Sequence, residues 1–468
     1  MINEIINKLK NKNIVILGFG KEGQSTFRFL REHLGNVNIT INDKFDISNN
    51  SLLTNDENVT LNCGPNYLEN LDNFDIIMKS PGISLNYLDE EYQNKIINKI
   101  SSQLELLLEV NRKNIIGITG TKGKSTTSSL LYNVIKDQGK DVILAGNIGI
   151  PVLDEIKNYK NDTILVIEMS SHQLEYIKKS PHIGIVLNLF QDHLDHAKTL
   201  EHYHENKMHM FKYQTNEDYA LYSSDNKYTL DNITVLENNN CFKSNKIGIS
   251  FKETSNSLSK VVIDEGKIYF DNSIIYEDKD RFLIGDHNLK NIAFVMVVAK
   301  LLNLNLQKAS ETIYNFKPLE YRMEDLGTHN NIHFYVDTIA TIPEATINAT
   351  SSLKNISTLI FGGENRNTDY TEFINYLNSS NIENLICMYD TGFLIKPKLD
   401  TSKKNIFFTR DMREAYKIAL KVTKPGSICI LSPAASSKDV FIDYQEKGAL
   451  FKALVNGNES DIIEHEKK

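Results

Sequence analysis

The sequence predicts an α/β protein of three domains, each built on a mostly parallel sheet. Three segments restart the same order of apolar strand, turn and helix, beginning near residues 13, 114 and 316. Their strands are runs of Ile, Val and Leu without polar alternation, which is typical of parallel strands covered by helices on both faces. The chain has 468 residues, a length that suits two or three domains.

The first predicted domain, residues 1–103, is Rossmann-like. Its strand "NIVILGFG" enters a turn that matches G-x-G-x-x-G with Gly18, Gly20 and Gly23, and a helix follows. Asp43 comes about 20 residues later, where dinucleotide-binding folds place an acidic residue. The amides of such a turn can face any phosphate. The pattern therefore leaves three interpretations open: a nicotinamide dinucleotide, another phosphate-bearing ligand, or a tight turn without a ligand.

The second predicted domain, residues 104–315, contains a shortened phosphate-binding loop, "GITGTKGKSTT". Two residues, instead of the usual four, separate Gly120 from the Gly-Lys pair. The loop amides would cradle phosphates, Lys124 would neutralise their charge, and Ser125 or Thr126 would reach a bound Mg²⁺. We interpret the domain as a P-loop ATPase-type fold. Residues ~220–282 look different, because short alternating runs such as "KVVIDEGKIYF" predict antiparallel hairpins on the edge of this domain.

Polar residues follow two further strands of the second domain. Glu168 stands where "TILVIE" ends, and His193 lies just past "IGIVLNLF". Ligands bind at the carboxyl ends of strands in open parallel sheets. Glu168 is therefore a candidate Mg²⁺ ligand, and His193 could complete a second metal site. Alternatively, Glu168 caps the next turn and the histidines are solvated, or "DHLDH" binds zinc, which would explain neither the phosphate loop nor Glu168.

The third predicted domain, residues 316–468, is again Rossmann-like. Its strands are expected in "NIHFYVD", "STLIFGG", "NLICMYD" and "SICILSP". Polar residues stand at its start and at strand ends, among them Arg322 and Asp337, and Asn288 and Asn291 precede it in "GDHNLKN". Taken singly these are turn signals, but together they could serve a nucleotide.

Composition and charge exclude several classes of protein. The net charge is −8, whereas a nucleic-acid-binding protein normally has a basic domain or stripe. The four cysteines lie far apart without a C-x-x-C pair, which suits a reducing compartment and indicates no thiolate metal site. We find neither a signal peptide nor the ~20 apolar residues that a membrane span needs. We therefore expect a cytoplasmic protein without membrane insertion.

Several motifs together resemble those of one family, the Mur ligases, and occur in that family's order. They are "TGTKGKSTT", "EMSSHQLE", "LNLFQDHLDH", "YHENK", "GDHNLKN", "FGG" and "LSPAASS". The resemblance spans essentially the whole chain and implies an ATP-dependent ligase of peptidoglycan synthesis that works through an acyl phosphate. "SSHQLE", "GNIGIP" and "SPAASSKDVFIDYQEKG" are most similar to the members that add glutamate to UDP-N-acetylmuramoyl-L-alanine.

The resemblance also implies cofactors and partners. ATP and Mg²⁺, the latter in two sites, would be required, and Lys207 in "YHENK" would be carbamylated by CO₂. The alternative for Lys207 is a surface lysine whose stem packs on apolar neighbours. UDP-N-acetylmuramoyl-L-alanine and glutamate would be the small-molecule partners, and a monomer is expected.

Site residues are carried over from the family's motifs as follows. The catalytic residues would be Lys124, Glu168, His193 and Lys207. The metal ligands would be Ser125, Glu168, His193 and Lys207 as its carbamate. ATP would be bound by Gly120, Thr121, Lys122, Gly123, Lys124, Ser125, Thr126, Asn288, Asn291, Arg322 and Asp337. The UDP substrate would be bound by Gly18, Phe19, Gly20, Gly23, Asp43, Ser80, Pro81, Gly82, Asn147, Ser171 and Gln173. Glutamate would be bound by Thr341, Arg366, Ser437 and Tyr444.

One departure from the family's pattern concerns the amino acid. The better-known D-glutamate ligases carry Asp-Ser-Lys-Ala-Thr at residues 337–341, and here Ile339 replaces the lysine. Some relatives with an apolar residue there resemble ligases that add L-glutamate. We expect D-glutamate, with L-glutamate as the alternative, and Arg366 as a basic residue that could grip a carboxylate in two places.

Three rival functions differ in how much of the sequence they explain. A nicotinamide oxidoreductase explains the first glycine turn but leaves residues 117–210 without a purpose. Folylpolyglutamate synthase is a related ligase that normally lacks the UDP-binding first domain. A non-catalytic nucleotide-binding regulator would tolerate loss of Lys207 or His193, yet both are present.

Overall fold

The structure is a computed structural model. It describes residues 1–54, 56–146, 151–190, 199–283, 285–317, 320–351, 353–365, 368, 370–437 and 440–457. The chain divides into two compact units, Met1–Phe316 and Lys317–Lys468.

The first sheet of the first unit is parallel throughout. Its strands are β1 (Ile14–Leu17), β2 (Ile39–Asp43), β3 (Val59–Cys63), β4 (Ile76–Lys79) and β5 (Ile100–Ser101). Its helices are α1 (Ile2–Leu9), α2 (Lys21–Leu34), α3 (Glu90–Ile96) and α4 (Gln103–Asn111). The strand order is β3-β2-β1-β4-β5. The order reverses between β1 and β4, and ligands of open α/β sheets bind at such a switch point. The glycine turn follows β1 and Ser80 follows β4.

The second sheet carries the phosphate-binding loop. Its strands are β6 (Ile115–Thr119), β7 (Val142–Gly146), β8 (Ile164–Glu168), β9 (Ile183–Val186), β10 (Tyr219–Ser223), β11 (Asn245–Phe251), β12 (Ser259–Asp264), β13 (Lys267–Phe270) and β14 (Ser273–Glu277). Its helices are α5 (Lys124–Asp137), α6 (Val152–Glu155), α7 (Ser171–Leu174), α8 (Leu200–Lys212), α9 (Lys227–Asn238), α10 (Asp286–Leu301) and α11 (Leu306–Asn315). The order is β14-β13-β12-β11-β10-β9-β6-β8-β7. Pairing is parallel except at β12–β13 and β13–β14, so the predicted antiparallel edge is confirmed. The edge is shorter than the predicted residues ~220–282, because β10, β11 and β12 pair in parallel.

The third sheet forms the second unit. Its strands are β15 (Glu324–His329), β16 (Ile332–Val336), β17 (Ile356–Phe361), β18 (Asn384–Met388), β19 (Asn405–Thr409) and β20 (Ile428–Leu431). Its helices are α12 (Pro343–Ser351), α13 (Thr371–Ser379), α14 (Tyr389–Ile395), α15 (Met412–Val422) and α16 (Tyr444–Asn456). The order is β15-β16-β20-β17-β18-β19, and only β15 is antiparallel to its neighbour among these strands. The predicted class, α/β with mostly parallel sheets, is confirmed.

A continuous core joins the first two sheets. Leu30 of α2, Leu107 of α4 and Leu153 of α6 are fully buried in the same hydrophobic cluster. Burial of apolar side chains from both sheets in one cluster explains why residues 1–316 form one unit. The predicted domain boundaries at 103/104 and 315/316 stay predictions. Within the described ranges, no helix combines the length and the apolar character needed to cross a membrane.

Candidate active site

The phosphate-binding loop joins β6 to α5 in a tight curve. Gly120 and Gly123 have φ values of +150° and +85°, which L side chains rarely adopt, so the glycines are required by the backbone. The peptide N–H of Thr121 donates to Asn188 O at 2.9 Å, and that of Lys122 donates to Asn188 Oδ1 at 2.9 Å. Asn188 follows the neighbouring strand β9 and braces the loop. Asn188 had no predicted role, although it lies in the motif "LNLFQDHLDH".

Two lysines contact this loop: Lys124, which directly follows it, and Lys207, which is distant in the sequence. Lys124 Nζ donates to Gly120 O at 2.9 Å and to Thr121 O at 3.0 Å. Lys207 Nζ, on α8, donates to the same Gly120 O at 3.0 Å. The two nitrogens therefore lie less than about 6 Å apart. The structure thus brings two predicted catalytic residues together at the site of the expected phosphates.

Asn288 and Asn291 lie in the first two turns of α10, beside the phosphate-binding loop. A Cβ added to Gly123 would be 2.8 Å from Asn291 Oδ1. Asn291 Nδ2 donates to Asn288 Oδ1 at 3.2 Å. Lys290 between them forms an ion pair with Asp225 on the loop after β10, which anchors this end of α10. The structure therefore brings both predicted asparagines to the P-loop.

Glu168 ends β8, directly beside the strand that feeds the loop. It is paired in register with Ile118 of β6 and is only 1% exposed. Thr119 Oγ1 donates to Met169 O at 2.7 Å, which ties the two strand ends together. Ser125 lies in the first turn of α5. Carboxylate and hydroxyl oxygens suit Mg²⁺, which usually keeps several waters and substrate phosphates as further ligands. The two residues therefore fit a magnesium ion.

Clusters of metal-binding side chains are a separate question for the part of the chain that the structure describes. There, no three residues among His, Cys, Asp and Glu form a group that could hold a metal ion. His193, predicted for a second metal site, lies outside the described residues.

The side chain of Lys207 is buried next to other residues of its own helix, α8. Its side chain is buried, with 2% of the residue exposed, and Nζ lies 4.8 Å from the centre of the Tyr203 ring. His204 Nε2 lies 3.2 Å from Phe190 O. Burial lowers the pKa of His204, and the nearby Lys207 cation lowers it further. Tyr203 and His204 had no predicted role. Their spacing of four and three residues before Lys207 places all three on one helix face, which is the signal that could have identified them.

The glycine turn of the first sheet is held by Asp43 and Ser80. Phe19 N–H donates to Asp43 Oδ2 at 2.7 Å, and Phe45 N–H donates to Asp43 Oδ1 at 2.9 Å. Ser80 Oγ donates to Gly18 O at 2.7 Å. The structure thus brings these predicted residues together, and both oxygens of Asp43 accept backbone hydrogen bonds. The rest of this loop, Pro81 and Gly82, turns back so that the next N–H donates to Ser80 O at 3.1 Å.

Gln173 connects the two sheets of the first unit. Its Oε1 accepts from Ser170 N–H at 3.0 Å, which completes a capping box in front of Ser171 at the start of α7. Its Nε2 donates to Glu22 Oε1 at 2.8 Å in the first turn of α2. Burial raises the pKa of Glu22, against the effects of Gln173 and Lys79. Glu22 and Lys79 had no predicted role. Asn147, assigned to the same substrate, lies outside the described residues.

The second unit places its predicted residues at the carboxyl ends of β16 and β20. Asp337 accepts from Met323 N–H at 3.1 Å and from Ser432 Oγ at 3.0 Å. Burial raises the pKa of Asp337 to about 7, although these hydrogen bonds and Arg322 oppose the shift. Arg322 also lowers the pKa of Tyr444, which burial raises, so Arg322 lies near both residues.

The residues predicted for glutamate lie near the same edge. Thr338 Oγ1 donates to Tyr444 O at 2.7 Å, and Thr341 is exposed in the turn that follows. Ser437 is 2% exposed, and its hydroxyl has no hydrogen-bond partner among the described residues. A buried hydroxyl of this kind is a candidate for a ligand contact. Arg366 lies outside the described residues.

Family models match three consecutive parts of the chain. The Mur ligase MurD-like N-terminal domain matches residues 12–100, the Mur ligase middle domain matches residues 118–299, and the Mur ligase glutamate ligase domain matches residues 321–435. The first match covers the domain that folylpolyglutamate synthase normally lacks.

Similar proteins span the chain from end to end. UDP-N-acetylmuramoylalanine–D-glutamate ligase of Clostridioides difficile is 32% identical over 474 residues, which cover 96% of this chain and 99% of the relative. The enzyme of the same name from Caldicellulosiruptor bescii is 30% identical over 461 residues, which cover 96% and 98%.

Solved structures show the same fold at low identity. MurC, UDP-N-acetylmuramate-alanine ligase of Thermotoga maritima, has a TM-score of 0.57 and 17% identity and covers 96% of this chain and 100% of its own. The MurF ligase of Thermotoga maritima in complex with ADP has a TM-score of 0.54 and 16% identity and covers 98% and 95%. At these identities the likeness concerns the fold alone.

Proposed function

The chain belongs to the Mur ligase family, and on that premise we propose that it joins glutamate to UDP-N-acetylmuramoyl-L-alanine. Members of this family are ATP-dependent ligases of peptidoglycan precursor synthesis. The observation that carries the choice of substrates is the similarity, over 96% of this chain, to relatives named for D-glutamate ligation. We propose D-glutamate as the amino acid.

The P-loop would bind the phosphates of ATP. Gly123 precedes α5 and provides no side-chain cap, and the N–H groups at the start of a helix are suited to donate to phosphate oxygens. Lys124 Nζ already lies against the loop at Gly120 O. It would move the short distance to a phosphate oxygen and offset the charge of the phosphoryl group that is transferred to the substrate carboxylate. Asn288 and Asn291 would fix the nucleotide beside this loop.

Ser125 and Glu168 would hold Mg²⁺. When bound, the ion neutralises charge on the phosphate oxygens and orients them for in-line transfer. Glu168 is suited to this because the paired ends of β6 and β8 fix its backbone, while burial keeps water away from the carboxylate. We propose His193 for a second magnesium site.

Lys207 would carry a carbamate. Its ammonium shares Gly120 O with that of Lys124, and two like charges this close repel each other. Reaction of the lysine ammonium with CO₂ forms an N–C bond, releases two protons and leaves an anion. The carbamate nitrogen keeps one N–H, which could still donate to Gly120 O. The modification would thus turn a repulsion into an attraction and supply negative charge for a metal site.

The two substrates would be positioned by the other two sheets. The turn at Gly18 and the loop at Ser80 stand at the switch point of the first sheet, where the UDP diphosphate would meet the N-terminus of α2. Glutamate would lie at the carboxyl edge of the third sheet, near Thr341, Ser437 and Tyr444. Ile339 cannot pair with a carboxylate, so Arg366 would provide the cation that glutamate needs.

A single assay tests the proposal. The protein is incubated with ATP, Mg²⁺, UDP-N-acetylmuramoyl-L-alanine and either D- or L-glutamate, and phosphate release and the mass of the product are measured. We expect phosphate release only with both substrates, and faster with D-glutamate. Preferential incorporation of L-glutamate would overturn the stereochemical choice. Nucleotide binding without product under any of these conditions would identify a non-catalytic regulator instead.

A further inference from the structure

Lys447 is a fully buried lysine that the mechanism above does not use. It lies on α16, has 0% of its surface exposed, and its Nζ donates to Gly362 O at 2.7 Å. The ring centres of Tyr389 and Phe441 lie 5.0 Å and 5.8 Å from the same Nζ. Burying an ammonium is costly unless hydrogen bonds and ring faces compensate for the lost water. A methionine or leucine would fill this space without that cost, so the charge itself calls for a role.

The hydrogen bond from Lys447 is made to a turn whose backbone is also constrained by other contacts. Gly362 follows β17 with a φ of +126°, and a Cβ there would lie 1.9 Å from Met388 O. Its N–H donates to Pro433 O at 2.8 Å. The peptide group of Gly362 is therefore fixed at both ends, by Pro433 on its nitrogen side and by Lys447 at its carbonyl.

The same turn is joined to the loop after β20. A Cβ on Gly363 would lie 2.1 Å from Ser436 O, and Glu364 N–H donates to Ser436 O at 2.8 Å in an isolated antiparallel bridge. Ser437, whose buried hydroxyl has no partner among the described residues, is the next residue. Displacement of the Gly362 turn would therefore move the backbone beside Ser437.

We propose that Lys447 is a positioning residue for the amino-acid site: by holding Gly362 O, it sets the place of Ser437. The inference rests on the proposed function, because it assumes that this edge of the third sheet receives glutamate. A small misplacement of groups that contact a substrate is enough to lower binding and rate strongly. The direct effect should fall on the amino acid and not on the two substrates of the first unit.

The test compares Lys447→Met with Lys447→Arg in the full-length protein. The methionine variant keeps the packing volume but loses the donor, and the arginine variant keeps a charged donor. We expect Lys447→Met to raise the KM for glutamate at least about tenfold, with the KM values for ATP and UDP-N-acetylmuramoyl-L-alanine within about twofold of wild type. Lys447→Arg should restore most of the loss. Lys452→Met serves as the control, since Lys452 lies on the same helix but forms its ion pair with Glu324.

Each result decides a separate point. An unchanged KM for glutamate in Lys447→Met, or an equal rise of all three KM values, would overturn the positioning role. If Lys447→Met does not fold, Phe441→Leu removes one wall of the ammonium's surroundings and is measured in the same way. A wild type that ligates another amino acid would overturn the proposed substrate, and the KM of that amino acid then replaces the KM of glutamate. A wild type that ligates none would overturn both.

Discussion

Replacing Gly23 by alanine tests the geometry of the first glycine turn most sharply. A Cβ on Gly23 would lie 2.0 Å from Gly18 O and 3.0 Å from Gly18 C, which are backbone atoms of the turn. They cannot rotate away, so the start of α2 would have to move from β1 by about an ångström or more. Overpacking of this kind costs about 1 to 3 kcal/mol. We expect the upper end, about 3 kcal/mol, because the clash is with backbone.

Gly20 in the same motif provides a matched control. A Cβ there would meet nothing within 4 Å, and its φ of −70° suits any residue. Gly20→Ala should therefore leave stability unchanged to within about 1 kcal/mol. The open space is where a diphosphate would approach the backbone, so this variant should raise the KM for the UDP substrate, by about tenfold, and leave the other KM values alone.

Thermal unfolding and steady-state kinetics separate the two effects. A cost of about 3 kcal/mol corresponds to a fall in Tm of about 4 to 5 °C for the first unit, Met1–Phe316, since the unfolding entropy is roughly 2.1 cal/mol/K per residue. Gly23→Ala should show this fall. A Gly23→Ala protein with the Tm and KM of wild type would refute the packing argument. Loss of stability in Gly20→Ala would refute the claim that its side of the turn is open.

Three further predictions concern the first unit. Lys124→Ala should lower phosphate release at least about 100-fold, since about 2.7 kcal/mol of lost transition-state stabilisation has that effect; robust release from the variant would remove Lys124 from the mechanism. Lys207→Ala should be nearly inactive and partly rescued by added formate or acetate, whereas Lys212→Ala on the same helix should retain activity; full activity of unrescued Lys207→Ala would make the lysine merely structural. Burial raises the pKa of Glu105 to about 7, so the folded state keeps a proton that the unfolded state loses, and wild-type stability should fall as pH rises from about 4.5 to 7. Glu105→Gln should lessen that fall by the contribution of Glu105, about 3 kcal/mol at most; other carboxyls with a raised pKa, such as Asp337, contribute the rest. Urea unfolding at pH 5 and pH 8 measures the change, with Glu109→Gln as the control, and an equal fall in wild type and Glu105→Gln would contradict the assignment.

The strands and the P-loop could be predicted because their signals are local. Apolar runs such as "NIIGIT" need burial on both faces, which only a covered parallel strand supplies. The shortened loop could be recognised from its glycines, because the backbone angles at positions 120 and 123 are ones that other residues avoid. Even the β15–β16 hairpin, which was not predicted, has a local signal: Asn330 and Asn331 both have positive φ, of 52° and 61°, as in a tight two-residue turn.

The order of the motifs and the sites they would serve also followed from the sequence alone. Family resemblance carries residue types at given positions of this sequence, such as the Gly-Lys-Ser order at residues 123–125. The choice between D- and L-glutamate did not follow, since Ile339 removes the lysine that would have indicated it. The choice of enantiomer depends on how several groups, distant from one another in the sequence, are arranged around the α-carbon of the amino acid.

Tertiary structure alone decided which distant groups meet. Lys207 reaches Gly120 O across 87 positions of sequence, Gln173 reaches Glu22 across 151, and Lys447 reaches Gly362 across 85. Local patterns specify that a strand forms but not which strand becomes its neighbour, because strand order is set by how the crossover helices pack. The brace of Asn188 on the P-loop and the buried charge of Lys447 exist only once β9 lies beside β6 and α16 packs on the third sheet.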